Sequence, residues 1–439
     1  MTHNDCVTQR LSAVDAQLLW LSRVVPNDQF LLYAFSGSPE SPDDAVAQLR
    51  RRAQSTPELG RVVVDDSRWR YPRWVHAEVT DEQFRLDRPG DWQACLDAVA
   101  RLGSGRLRTD RMTWRAHVFP DVNGIPGVAG VCSVVVVQIS HALGDGIRSA
   151  ALAAALLGRS GRVRPIGPPV GGSLPLKAIA AARAHRRMVR DTEAGLLAAP
   201  RGPRPALSVN VRPGAARAIR TVVVAREHLT GSTVTVAALT AVSEALGGYL
   251  RARGEDVAQL AAEVPMALGT PDPHAHNNFG NVGIGLYPDV ARAERAARIA
   301  AELNGCRRRS EHPAARAAAE AFAVVPAPVL RWGIGRFDPA ERSATVTGHT
   351  VVSSVNRGRA DLSFGGSPVV LTAGFPALSP MMSLTHGVHG IGEAVAVSVH
   401  ADPERIDLDD YVDRLAAALG VPGPRRKCAQ SGQPGEITP

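Results

Sequence analysis

The chain has 439 residues, 45% apolar and 21% charged, which is ample for a large core, points to two or three domains, and excludes wholesale disorder. A net charge of +8 draws anionic partners such as acidic lipid headgroups or phosphorylated cofactors, but aromatics are only 5% and do not interleave with the basic residues, which argues against nucleic acid. The opening residues are polar with no apolar signal core behind them, and the densest apolar run, 131–137, is too short to span a bilayer, so a soluble, cytoplasmic protein is expected.

The first part of the chain alternates strand-like and helix-like segments: a strand at 30–35, a helix at 42–53, a strand at 74–79, a helix at 92–102 and a strand at 114–119. Residues 131–139, Val-Cys-Ser-Val-Val-Val-Val-Gln-Ile, form a near-continuous β-branched run, the pattern of a strand buried on both faces. An almost wholly apolar helix follows at 147–157 and should be buried too. A Gly/Pro/Arg-rich boundary loop at 158–175 leads into a basic helix at 176–197 and a second Pro/Arg-rich stretch at 198–213. The alternation then restarts with a strand at 219–224, a helix at 234–253, strands at 262–267 and 282–287, and a helix at 292–309. Strands at 350–355, 369–373, 381–385 and 394–399 precede a closing helix at 408–419, and 423–439 reads as a frayed tail. The expectation is an α/β (α+β) chain with a first lobe at 1–165, a linker with its basic helix at 166–213, a second lobe at 214–422 and a tail at 423–439.

Chemistry concentrates in Ser140-His141-Ala142-Leu143-Gly144-Asp145-Gly146, where the buried strand ends and the buried helix begins. A strand terminus is where an open sheet presents reactive side chains. Asp145 at the helix start suits the positive helix end, and Gly146 lets backbone approach a neighbour or a ligand. Neutral imidazole, with an ordinary pKa near 6.5, can take a proton from an alcohol, whose oxygen then attacks an activated acyl group such as a thioester. Asp145 braces the loop rather than relaying protons, and a salt bridge to an arginine is the natural brace. The plainer reading is that His141 is a loop histidine and Asp145 only an N-cap.

At this point the chain resembles the wax ester synthase/diacylglycerol acyltransferase family of actinobacteria, within the HHxxxDG acyltransferases. Leu11-Ser12-Ala13-Val14-Asp15, with Trp20, resembles the opening LSPLD segment, and 107–114 resembles PLDxxRPLW. Ser140 to Gly146 resembles HHxxxDG, and Gly231-Ser232-Thr233-Val234-Thr235-Val236 resembles GATVND. Asn278-Phe279-Gly280-Asn281-Val282 resembles the central GN segment, and Ser353-Ser354-Val355-Asn356 the late TVTNVPGP strand. The resemblance implies two chloramphenicol acetyltransferase-like lobes with mixed sheets, meeting over a tunnel with His141 at its middle. Acyl-CoA is implied as a substrate, with no further cofactor; diacylglycerol or a long-chain alcohol is the implied acceptor, and transfer is direct. Ser353, Ser354 and Asn356 match the strand that faces the tunnel, one of them able to donate to the tetrahedral oxyanion, and Gly146 is taken with them as a substrate-binding residue. The departures are specific. Ser140 replaces the first histidine of the pair, the second being the base in such families. Met112-Thr113 stands before Trp114, Thr235-Val236 replaces an Asn-Asp pair, and Arg357-Gly358 follows the strand asparagine. They motivate two alternatives: a carrier-protein-bound donor with a polyketide or sugar acceptor, or a catalytically impaired homologue that binds lipid or acyl-CoA.

The remaining features have bland counterparts. Arg183, Arg186, Arg187 and Arg190 share a helix face and Lys177 lies one end along, fitting either acidic lipid heads and CoA phosphates or a solvated linker helix. Peripheral contact with the inner face of an acidic membrane, or with a lipid droplet, follows from the first reading. His274-Ala275-His276 lacks the cysteines or carboxylates that complete a metal site, and His386 and His389 read as loop residues. Cys6, Cys95, Cys132, Cys306 and Cys428 are odd in number with no CxxC, which fits reduced thiols. No GxSxG, P-loop or GxGxxG is present.

Overall fold

The structure is a computed structural model that describes residues 8–269 and 272–422; Cys6, Cys428 and the expected tail at 423–439 lie outside the described residues. The principal strands are β1 (Gln29–Ser36), β2 (Phe84–Leu86), β3 (Trp114–Val122), β4 (Cys132–Ile139), β5 (Ala218–Ala225), β6 (Ala261–Ala267), β7 (Phe279–Gly285), β8 (Thr350–Asn356), β9 (Ser363–Phe364), β10 (Ser367–Gly374), β11 (Leu384–Ile391) and β12 (Ala394–Ala401). The helices are α1 (Ala13–Leu21), α2 (Pro42–Gln54), α3 (Trp92–Leu102), α4 (Gly146–Leu156), α5 (Leu174–Glu193), α6 (Val234–Arg251), α7 (Arg292–Ser310), α8 (Pro313–Phe322), α9 (Ala327–Gly335) and α10 (Leu408–Leu419).

Two six-stranded mixed sheets organise the molecule, in the orders β9-β10-β1-β4-β3-β2 and β7-β6-β8-β11-β12-β5. The first is antiparallel apart from β2 beside β3. In the second, β8 runs parallel to both β6 and β11. The fold is therefore the expected mixed α/β pair of sheet-rich lobes.

All eight residues of β4 are buried, as the β-branched run predicts, because its faces meet different cores. Val135, Val137 and Ile139 pack with side chains of α1, α2 and α4, while Val134 and Val136 pack with α3 and with Ile219 and Ala396 of the second sheet. Fully burying a valine is worth about 1.5–3 kcal/mol, so this strand is a main source of cohesion both within its lobe and between lobes.

The halves interlock. The hairpin of β9 and β10 belongs to the C-terminal half, yet β10 pairs with β1 of the first sheet. Ala327 and Leu330 of α9 likewise join the first lobe's core. The crossover brings β10 hard against β11, where a Cβ on Gly387 would run into the Gly374 carbonyl oxygen. Glycine is required there for space.

Several boundaries differ from expectation. The strand read at 381–385 runs instead over Leu384–Ile391, where two glycines and two histidines looked loop-like. His386 and His389 are buried strand residues: His386 meets the Thr350 and Tyr411 hydroxyls at 2.9 and 2.6 Å, and His389 lies against Gly374 and Arg357. Burial pushes His386 down to about 3 and His389 well below the ordinary histidine range, so both are neutral. α1, α8 and α9 had no sequence counterpart. α8, Pro-Ala-Ala-Arg-Ala-Ala-Ala-Glu-Ala-Phe, is short and buries only Ala314.

Candidate active site at the seam of the lobes

β4 ends at Ile139, and residues 140–145 turn directly into α4. Three elements of the first lobe hold the turn. Ser140 N–H donates to Thr113 O at 2.9 Å, and Leu143 N–H to Ser140 O at 2.9 Å. Gln29 of β1 donates through Nε2 to Gly144 O at 2.6 Å and Ser149 Oγ at 2.9 Å. The stem of Arg148 folds over Gly144, where a Cβ would lie 2.9 Å from the arginine carbons. Gly144 is therefore a close-approach glycine. Ser140, in the place of a histidine, is buried and supplies its Oγ to Ala142 N–H at 3.4 Å.

Asp145 is the N-cap of α4, its Oδ1 accepting from Ile147 N and Arg148 N at 3.1 and 2.9 Å. Its Oδ2 accepts from Asn278 N at 3.0 Å, tying the helix start to the chain entering β7 of the second lobe. The expected arginine salt bridge does not form among the described residues. Arg148 turns the other way and donates to Leu143 O at 3.2 Å and Arg164 O at 2.6 Å. The backbone donors at the helix end satisfy the carboxylate, so no cation is needed.

His141 is half-buried between the lobes, its ring 5.6 Å from that of Phe279, centroid to centroid. Burial pulls its pKa below the ordinary value, against a hydrogen bond to Asn277 Oδ1 and the charge of Asp145, so the imidazole is neutral at physiological pH. Gly146 faces the second lobe, where a Cβ would come within 3.1 Å of Val355 Cγ2. Its role in the structure is a close lobe-to-lobe approach.

The late strand divides its candidates between two faces. Side chains alternate, so Ser353 shares the face of Val355, turned toward the His141 loop. Ser354 shares the face of Val352, which packs in the second lobe's core, and its Oγ accepts from Thr235 Oγ1 at 2.9 Å. Thr235, in place of the family's asparagine, thus reaches β8. Asn356 is exposed and its Oδ1 accepts from Gly358 N at 3.0 Å, shaping the turn after the strand. His141, Asp145 and Gly146 therefore sit together at the end of β4, Ser353 lies on the β8 face that carries Val355, and Ser354 and Asn356 lie on the opposite face.

Two cavities, of about 1360 and 910 Å³, lie away from the imidazole. The larger runs between α5, α7 and α8, lined by alanines, Met188 and Cys306 together with Arg201, Arg298, Glu302 and Arg309, and reaches Asn281, Val282 and Gly283 of β7. Phe279, which touches His141, stands two residues earlier on that strand. His276 is held by Asp15 at 3.1 Å. Among the described residues no group of three His, Cys, Asp or Glu side chains is spaced to hold a metal. Burial pushes the Cys95 thiol up to about 12, and raises Cys132 and Cys306 too, so none is an activated nucleophile.

Asp15 and Asn277 were missed as site residues. Asp15 is fully buried beside the N-cap of α1, and Asn277 lies 136 positions from His141 yet donates to its carbonyl oxygen at 2.8 Å. The only sequence signal was Asp15 closing the LSPLD-like segment.

Two mixed six-stranded sheets, a crossover hairpin and a loop histidine at their seam define the chloramphenicol acetyltransferase-like class of acyltransferase folds. Residues 11–278 match the wax ester synthase/diacylglycerol acyltransferase catalytic domain and 277–421 the WS/DGAT C-terminal domain, and the chain belongs to this acyltransferase family. Its fold is similar to that of the wax ester synthase/diacylglycerol acyltransferase from Marinobacter aquaeolei VT8, with 19% identity, a TM-score of 0.60, and 94% of this chain and 98% of that one covered. It is also similar to the starter condensation domain of rhizomide synthetase RzmA in complex with C8-CoA and Leu-SNAC, at 14% identity and a TM-score of 0.56, covering 95% of this chain and 96% of that one. No curated protein matches the sequence significantly.

Proposed function

We propose that the protein transfers a long-chain acyl group from acyl-CoA to the hydroxyl of a diacylglycerol or long-chain alcohol, with His141 as general base. The observation that carries this reading is a neutral, half-buried imidazole at the end of β4, facing the second lobe in a chain of this family. His141 takes the hydroxyl proton as the alcohol oxygen attacks the thioester carbonyl. The tetrahedral intermediate collapses with cleavage of the C–S bond, and the imidazolium returns its proton to the departing CoA thiolate. No acyl-enzyme forms. Ser353 is the group on β8 whose face suits donation to the oxyanion. Asp145 serves by holding the loop, and Gly146 by admitting β8.

Acyl-CoA as donor is supported by the C8-CoA complex of the similar condensation domain. The larger cavity adjoins β7, and the alanines, Met188 and Cys306 of its lining offer the acyl chain an apolar wall beside the charged Arg201, Arg298, Glu302 and Arg309. Among the described residues no single helix is long and apolar enough to cross a membrane. Peripheral contact suits the surface near α5 and α9, where Trp69, Leu176 and Trp332 are 79%, 69% and 68% exposed and no residue of α5 is buried. The arginine face of α5 adds attraction for acidic headgroups.

The condensation-domain likeness and the Thr235–Ser354 hydrogen bond, where the family has an Asn-Asp pair, favour one second reading, a carrier-bound acyl donor. The test is mass spectrometry of products from palmitoyl-CoA offered with diacylglycerol and a panel of alcohols. An ester product supports the first reading. Turnover only with a carrier-bound thioester supports the second, and acyl-CoA binding without any product would refute both and leave a lipid-binding homologue.

A further inference from the structure

We infer that Asn277, oriented by the buried carboxylate of Asp15, is a positioning residue that fixes the tautomer of His141 so that Nε2 is the free basic nitrogen. The inference rests on the reading of His141 as the base, and its observable does not.

The side-chain amide of Asn277 has three polar neighbours. Its Nδ2 donates to Asp15 Oδ1 at 2.9 Å and to the carbonyl oxygen of His141 at 2.8 Å. Both are acceptors only, so the NH2 end must face them and the amide cannot be reversed without two oxygen–oxygen repulsions. That leaves Oδ1, an acceptor only, facing His141 Nδ1 at 3.5 Å. An acceptor opposite a ring nitrogen requires that nitrogen to carry the proton. In a neutral imidazole the other nitrogen is then the lone-pair site. The contact is long, as hydrogen bonds around a base often are before substrate binds.

Asp15 makes the arrangement rigid. It is fully buried and also accepts from His276 N, His276 Nδ1 and Asn277 N at 3.0, 3.1 and 3.1 Å, and from the Ser12 hydroxyl at 2.7 Å. Burial alone would raise its pKa; the His276 side chain, Asn277 and the His276 backbone outweigh it and hold it below the usual carboxylate value. The carboxylate stays ionised, and an ionised carboxylate can only accept. The logic parallels the acid of a serine-protease triad, which holds its histidine in the right tautomer, but here a neutral amide stands between carboxylate and ring. Asp145, the other acid near the ring, is occupied by the α4 and Asn278 backbone.

The direct test is 15N NMR of the histidine rings in the whole wild-type protein, with His141 assigned by its loss in His141→Ala. The expected result is a protonated Nδ1 and a bare Nε2. In Asn277→Ala the His141 signal should move toward a tautomer mixture, and kcat should fall at least about tenfold with KM for acyl-CoA little changed. A wild-type ring protonated at Nε2 would overturn the inference, as would an Asn277→Ala protein with unchanged ring signals. The wild-type measurement stands even if that variant does not fold. The expected tautomer in a protein that transfers no acyl group would count against the proposed function and leave this inference in place.

Discussion

The loop 140–146 and the strand β8 both carry family-like motifs, and the structure treats them differently. The loop is fixed by a tight turn, a capped helix and contacts from β1, Arg148 and the 276–278 segment, which set both His141 and Asp145 against that segment. On β8 the same density of polar residues is split by the two-residue period of a strand. Ser353 faces the loop, Ser354 faces Thr235 and Asn356 turns to solvent. A motif on a loop can act as one constellation, whereas on a strand adjacent positions serve opposite faces.

The comparison is sharpened first by removing what holds the loop's environment. Asp15→Ala strands several buried donors, and the expected loss is about 3–5 kcal/mol, the scale for removing one partner of a buried charged network. Chemical denaturation would reveal it, and a loss below about 1 kcal/mol would show that the 276–278 segment is held by something else. On the strand, the faces should behave unequally. Ser353→Ala should lower kcat by up to roughly 10²-fold if it donates to the oxyanion, whereas Ser354→Ala should cost about 1 kcal/mol of stability through Thr235 and leave kcat nearly intact. Equal effects on kcat would break the division of β8 into a reactive and a structural face.

Much of this was legible from sequence because it is local. The β-branched run of β4 announced a doubly buried strand, and the apolar run after it announced α4. The motif at their junction placed His141, Asp145 and Gly146 together. What was not legible depends on long-range contact or on weak periodicity. β11 hides behind Gly387 and Gly390, and Gly387 makes sense only once β10 is seen crossing over it. The pairing of β10 with β1 joins residues more than 300 positions apart, and the Asp15–Asn277–His141 chain spans both lobes. Local reasoning assigned Asp145 an arginine partner, but helix-end backbone groups supplied the same stabilisation without one.

The most direct test of the whole account is the turnover of His141→Ala, with folding verified by its unfolding transition. The account predicts a wild-type transition and loss of ester formation by about 10²–10⁴-fold, the contribution of a positioned general base. Turnover equal to wild type in a folded His141→Ala protein would contradict it.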